Sequence, residues 1–450
     1  MESKTQSKTN FFDQKALNAI TKVWWPLAAS WVMMAAEQPV LSATIARLPQ
    51  PEINLAAYGG IVFPIALIIE APIIMILAAS VALSRDNKSF KKIHKFMMIS
   101  GFLLTVLHLL IAVTPLYYIV AEKIIGAPAE IIEPARLGLI VLLPWTWSIG
   151  YRRFYQGVLI RYGHSDAVGV GTIIRITTIT GVMLVGYFTH WYPGVVVAGF
   201  AQGLAVLLEA IYAGHRGRAV VRNELSREPE TDELTWPTFY RYYVPLAMTS
   251  FITMLWSPIC SMALSRLPSP LESLAVWPVL SGTIFLFRSF GIAFNEVVVA
   301  MLDQHGMSRH LRQFAMILIG VMTIVLVVIS FSPLVRFWFE DVSALPPAYA
   351  TLAVYAFRMI LLIPCLATLQ SWYQGAILYG KKTRGIPEAN GLSIAAAILV
   401  FVVGYFMKDT VGLYIGMAAY MMTNVVQTLW LWVRSRPIMA EVNLRDKLTA

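Results

Sequence analysis

The sequence predicts an all-α, polytopic membrane protein with twelve transmembrane helices in two parallel-related six-helix bundles. Three observations lead there: an apolar composition, basic residues confined to alternate loops, and an internal duplication. Of the 450 residues, 58% are hydrophobic and 13% charged, and the mean hydropathy is +0.66. Soluble proteins carry about 25% charged residues. One water-soluble core cannot absorb such an apolar excess, so a soluble enzyme, a nucleic-acid binder and a disordered scaffold are excluded.

Twelve stretches have the roughly 20 mostly apolar residues a membrane helix needs. They are 23–45, 55–83, 96–120, 136–159, 167–189, 193–213, 241–265, 272–302, 313–338, 350–378, 386–407 and 410–433. The loops and termini on one side carry 26 basic residues, among them Lys91, Lys92, Arg152, Arg153, Arg216 and Lys381. The other side carries six: Arg47, Lys123, Arg136, Arg266, Arg336 and Lys408. By the positive-inside rule both termini are cytoplasmic. A bacterial inner membrane or a plasma membrane fits, and the basic excess (net +10) belongs to this topology, not to a nucleic-acid partner. Residues 1–22 hold four lysines and no apolar run ending in a cleavage site, so no cleaved signal is expected. Phe11, Phe12, Ala16, Leu17 and Ile20 are expected to form a short interfacial helix. The expected organisation is a cytoplasmic segment 1–22, a bundle 23–213, a cytoplasmic linker 214–240, a second bundle 241–433 and a tail 434–450.

The duplication is read from residues other than Leu and Ala. Pro26-Leu27-Ala28, Pro39, Ser42, Arg47-Leu48-Pro49 and Pro51 recur 219 positions later as Pro245-Leu246-Ala247, Pro258, Ser261, Arg266-Leu267-Pro268 and Pro270. Tyr155-Gln156-Gly157 and Gly186-Tyr187-Phe188 recur at 373–375 and 404–406, now 218 positions on. Six spans per repeat place both halves in the membrane with the same orientation. Two such bundles suit a transporter that alternates access around a site between them. Pro39 and Pro258 each remove a backbone donor within a span, and their symmetry makes them hinge candidates as well as packing kinks.

A charge at mid-helix costs about 2.5–3.5 kcal/mol on insertion scales, so it normally faces a cavity or a partner. Glu37, Glu70, Arg175, Arg288, Glu296 and Arg358 all lie inside spans. Arg175, Arg288 and Arg358 are the substrate-binding candidates, because guanidinium groups hold carboxylates and phosphates through paired hydrogen bonds. Glu37, Glu70 and Glu296 are the coupling-ion or gating candidates. The alternative for each is a structural ion pair between helices. Glu209 lies near a span end and is expected to reach the interface, and His108 to be a hydrogen-bonded core histidine. No Walker loop and no metal-ligand spacing occurs, so no cofactor or metal is expected and energy falls to a proton or sodium gradient. The expected partners are the lipid bilayer and a small-molecule substrate; oligomeric state is open, and a monomer fits.

Trp24-Trp25-Pro26-Leu27 with Glu37-Gln38, Pro245-Leu246-Ala247 with Pro258 and Ser265-Arg266, and Gly291, Glu296 and Asp303 carry a resemblance. Arg358, Pro364, Gly375 and Lys381-Lys382-Thr383 extend it. On these residues the chain resembles the progressive ankylosis (ANKH-type) transporter family, in the superfamily of multidrug and toxin extrusion proteins (MATE) and lipid-linked precursor flippases. The middle of the first half follows that pattern by hydropathy more than by identity, and the family's long polar tail is missing. The resemblance implies twelve helices in two bundles and export of small anions such as pyrophosphate, nucleotide triphosphate or citrate. It points to Glu37, Glu296 and Arg358 as site residues. The function expected is therefore a secondary exporter of small organic or phosphorylated anions. Three alternatives stand beside it: a proton- or sodium-coupled multidrug cation antiporter, a lipid-linked precursor flippase, and a non-transporting membrane interaction protein. No boundary cluster of His, Asp, Glu and Ser suggests an enzyme.

Overall fold

The computed structural model describes residues 14–229 and 234–448. Every one of the twelve apolar stretches is helical. The first half consists of α1 (Gln14–Ala35), α2 (Glu37–Ile45), α3 (Pro51–Ala57), α4 (Phe63–Glu70), α5 (Ile76–Leu83), α6 (Asn87–Val113), α7 (Leu116–Tyr118), α8 (Ala129–Val141), α9 (Leu143–Arg161), α10 (Asp166–Thr189) and α11 (Gly194–Asn223). The second consists of α12 (Trp236–Met254), α13 (Trp256–Leu264), α14 (Pro270–Met301), α15 (Met307–Phe331), α16 (Leu334–Arg336), α17 (Pro347–Met359), α18 (Ile363–Tyr379), α19 (Gly385–Tyr405) and α20 (Gly412–Leu448). Among the described residues, eight helices are long and apolar enough to cross a membrane, and α17 with α18, bent by 41°, makes a ninth. The other three apolar stretches fall on α1–α2, α8–α9 and α20, which carry charges, breaks or buried amides.

The breaks follow from proline chemistry. Pro39 cannot donate to the carbonyl of residue 35, and the helical hydrogen-bond ladder is interrupted at Ala36, between α1 and α2. Pro258 does the same between α12 and α13, at Leu255. The duplication also appears in backbone details that composition does not show. Gln50 and Ser269, which precede α3 and α14, both have a left-handed φ of 55°. Asn54 Oδ1 accepts from Val195 N at 3.1 Å, and its mate Ser273 Oγ accepts from Leu413 N at 3.0 Å. The offset falls from 219 to 218 at one place. Residues 58–62 form a π-helical turn between α3 and α4, whereas α14 runs on as a regular helix. A π turn houses one inserted residue, so the extra residue of the first half sits there.

The two halves exchange their first helices. Leu17, Ile20, Trp24 and Ala28 of α1 are buried with Ala293, Val297 and Leu311 of α14 and α15. Trp24 Nε1 donates to the Phe290 carbonyl at 3.0 Å. Reciprocally, Tyr243 of α12 donates to the Pro72 carbonyl at 2.6 Å, and Phe239 packs edge-on against Phe96 of α6. Phe11 and Phe12 of the expected interfacial helix lie outside the described residues; Leu17 and Ile20 are core, not interfacial. Polar residues at both expected boundaries are helical too. The stretch 214–223 continues α11, and α20 continues through 434–448. The acidic residues at 230–233 lie outside the described residues.

Small residues set the closest helix contacts. A Cβ on Gly199 would meet the Gly138 carbonyl at 2.7 Å, and one on Gly291 would meet the Thr368 amide at 2.9 Å. These glycines let α11 approach α8 and α14 approach α18.

Candidate functional site

The centre of the first half is a connected chain of charges. On α9, Arg152 Nη1 lies 2.8 Å from Glu209 Oε2 of α11, and Gln156 donates to the other Glu209 oxygen at 3.1 Å. Arg175 of α10 reaches the same carboxylate at 3.6 Å and Glu37 at 3.3 Å. Glu37 opens α2, so the proline break delivers it to this network in a helical first turn, where the dipole favours an anion. Glu209 is completely buried and Arg152 only 5% exposed. Burial at this depth is sustained only because each charge has a counter-ion and hydrogen bonds.

The network forms one wall of a cavity of about 520 Å³ between the halves. Glu70 and Arg153 also line it, and Trp256, Trp277 and Tyr420 of the second half stand opposite. The Nε atoms of Arg152, Arg153 and Arg175, with Glu70 Oε2 and Gln202 Oε1, have no hydrogen-bond partner among the described residues. Such orphaned atoms are costly unless water or a solute satisfies them.

The second half is built differently. Arg288 of α14 donates from Nη1 to the Tyr420 hydroxyl at 2.6 Å, with its guanidinium 5.8 Å from that ring. It lines a smaller cavity, about 230 Å³, with Glu296, Asn295, Gln374 and Gln427. Glu296 accepts from Trp31 Nε1 at 3.3 Å. Arg358 is apart from both cavities. It donates to the Ser330 carbonyl at 3.2 Å and lies over the Phe331 ring at 4.9 Å, which anchors α17 to α15.

Of the six charged candidates, the structure thus gathers Glu37, Glu70 and Arg175 in the central cavity and places Arg288 and Glu296 in the lining of the smaller one. Arg358 stays outside. Pro39 and Pro258 each lie three residues after the helix break. Two expectations need correction. Arg152 is buried in α9 and Arg153 is half-buried beside it, so neither is a loop residue; both lie inside the apolar stretch 136–159, which was the available signal. Glu209 does not reach the interface: two arginines and Gln156 hold it inside. His108 is a hydrogen-bonded core residue, in contact with Thr146 Oγ1 at 2.6 Å and the Leu139 carbonyl at 3.0 Å. Among the described residues no cluster of His, Cys, Asp and Glu could hold a metal.

No protein-family model and no curated protein matches this sequence. Solved structures do match. The inward closed conformation of the lipid II flippase MurJ aligns with a TM-score of 0.69 at 14% identity, covering 94% of this chain and 91% of that chain. The fold is that of the MOP-superfamily transporters. An inward-facing multidrug-resistance MATE transporter of that superfamily aligns with a TM-score of 0.67 at 15% identity, covering 92% of this chain and 98% of its own. A MOP-superfamily transporter from Pyrococcus furiosus Vc1 (DSM3638), described as having a binding pocket of reverse polarity that suggests a different function, aligns at 0.63 and 16% identity, over 94% and 97%. These likenesses show the fold, which the chain shares with solved MATE transporters and the flippase MurJ. They do not reach to the ANKH-type family.

Proposed function

We propose that the chain is a secondary transporter that moves small organic or phosphorylated anions by alternating access between its two halves. The observation that carries this reading is the set of three guanidinium groups on one cavity wall, of which Arg152 and Arg153 have an Nε with neither a hydrogen-bond nor an ion-pair partner among the described residues. Glu37 and Glu209 are occupied in holding Arg175 and Arg152, whereas Arg153 lines the cavity with no carboxylate of the described residues in ion-pair contact. A carboxylate or phosphate group would satisfy that wall through charge-assisted hydrogen bonds. The pocket of reverse polarity described for the Pyrococcus protein agrees with the idea that this fold hosts different cargo charges, because function lives in the site and not in the fold. The breaks before Pro39 and Pro258 are the hinges of this cycle, and both termini are cytoplasmic.

A second reading rests on Glu70. Glu70 lines the cavity and its Oε2 has no hydrogen-bond partner among the described residues, as suits the cation- or proton-exchanging carboxylate of a drug antiporter. Efflux from proteoliposomes separates the two. Labelled pyrophosphate, ATP, citrate and a cationic dye are loaded separately, with and without proton or sodium gradients. The anion reading expects anion efflux that falls at least tenfold in Arg153→Ala and persists in Glu70→Gln. Dye efflux that needs a cation gradient and Glu70, with no anion flux, overturns it. Failure of all four solutes turns attention to the lipid substrates of a flippase.

A further inference from the structure

At the face opposite the termini, each half reaches into the other with one arginine. Arg266 of the second half donates from Nη1 to the Ile125 carbonyl at 2.5 Å, and from Nη2 to the Ile124 and Lys123 carbonyls at 2.7 and 3.1 Å. Arg47 of the first half donates from Nη2 to the Asp341 carbonyl at 2.5 Å and from Nη1 to the Val342 carbonyl at 2.9 Å. Both guanidiniums are also held by their own helix, through the Met262 and Ala43 carbonyls at 2.9 and 2.8 Å. Arg47 and Arg266 are repeat mates 219 positions apart, and their acceptors are mates at 218.

The receiving ends are alike and unusual. Ile119–Ile125 and Phe337–Val342 are both π-helical turns. Each is followed by a left-handed residue, Gly126 at φ 77° and its mate Ala344 at φ 54°. A helix end leaves its last carbonyls without amide partners and carries the negative end of the helix dipole. A planar guanidinium with several fixed donors suits such a crown of carbonyls. The seat is shaped for it, since a Cβ at Gly126 would come within 3.0 Å of the Arg266 guanidinium carbon.

We infer that Arg47 and Arg266 are the gate residues of the outer face, a reciprocal clasp that holds the two halves together there while the central cavity is closed to that side. This inference rests on the transporter reading above, and the two can fail separately. The acceptors are main-chain carbonyls at the water-facing rim, so parting the halves hands them to water and not to lipid. Opening is therefore reversible, and the clasp closes again without any side chain changing its protonation.

The test is thiol accessibility. In a chain with Cys260→Ser and Cys365→Ser, a reporter Ser257→Cys on the cavity wall is labelled by a membrane-impermeant maleimide from the outer side of sealed, right-side-out vesicles. Each of Arg47→Ala and Arg266→Ala is expected to raise the labelling rate about tenfold, and the pair about a hundredfold if the two act independently. Tenfold corresponds to about 1.4 kcal/mol of gate closure. Arg→Lys at either site, which keeps the charge and loses the fork, should fall between. Unchanged outer labelling in the double variant overturns the clasp, even if anion flux in the parent protein is robust. A rise matched equally in inside-out vesicles, with loss of the monodisperse protein peak, also overturns it, because the arginines would then serve only the fold. A rise confined to the outer side supports the clasp even if none of the four solutes moves.

Discussion

The two halves share a backbone plan almost residue for residue and fill it with opposite chemistry. Allowing for the π turn at 58–62, Arg152, Arg153, Arg175 and Glu209 correspond to Gln370, Ser371, Ser393 and Gln427, 218 positions on. Glu70 corresponds to Arg288, a reversal of sign, and Glu37 to Trp256. Where the first half ties four helices together with ions, the second uses amides. Gln370 donates to the Asn424 carbonyl at 3.1 Å, and Gln427 to Asn390 Oδ1 at 2.8 Å. The second half shows that this fold closes its core without buried ions. Structure alone therefore does not require the ions of the first half, which weights them toward a solute.

That contrast can be broken in graded ways. The largest effect concerns helix register. Deleting Gly60 removes the extra residue of the π turn, and the protein should still fold, losing about 2 kcal/mol or less. Deleting Val279 from the unbroken α14 turns everything after it by about 100° and should abolish folding. Monodispersity on size-exclusion chromatography checks both, and equal tolerance would mean that the π turn is not the site of the insertion. Next in size is Glu209→Ala, which strands Arg152 in the core, leaves Arg175 with Glu37 alone and should cost about 3–5 kcal/mol. Its mate Gln427→Ala should cost about 1 kcal/mol, a neutral hydrogen bond. Thermal unfolding of the purified variants measures the difference, and similar costs would erase the contrast between the halves.

Smaller in stability but sharper in meaning is the double exchange Arg152→Gln with Glu209→Gln, which writes second-half chemistry into the first. Replacing a buried pair outright is close to neutral in many proteins. Most of the stability lost in Glu209→Ala should return while anion efflux stays absent. A double variant that transports normally would make the ion network structural. The smallest effect is expected at the α20 extension, where Asp446 accepts from Ser308 Oγ at 2.5 Å and Arg445 at 2.9 Å. Burial opposes its ionisation, yet these bonds outweigh it and hold the carboxyl below the usual range. The stability it gives is present above the unfolded-state carboxyl range and is lost as pH falls through the lowered folded value. Asp446→Asn should therefore melt about a degree lower at pH 7, and the deficit should shrink as pH falls below the ordinary carboxyl range.

Fold and repeat were legible because prolines, arginines and apolar runs are local signals with a fixed spacing. The site was legible only in part. Isolated mid-span charges such as Glu37, Glu70 and Arg175 announced themselves by their cost in hydrocarbon. Arg152 and Arg153 did not, since an arginine eight or nine residues inside a helix end resembles an interfacial anchor until its carboxylate partner is known. That partner, Glu209, lies 57 residues away on another helix, and one sequence holds no record of such a pairing. Arg358 erred the other way: its neighbours are a carbonyl and two rings, which hydropathy cannot distinguish from a cavity.

The exchange of first helices also bears on how the chain is made. Trp24 finds its carbonyl 266 positions later in sequence, on a helix that does not exist while the first half is being inserted. Until α14 and α15 arrive, Leu17, Ile20 and Trp24 have no native surface to cover. Contacts of such separation form late and slowly. α1, made long before α14, is thus among the last of these helices to reach its place, and the first bundle cannot complete itself alone.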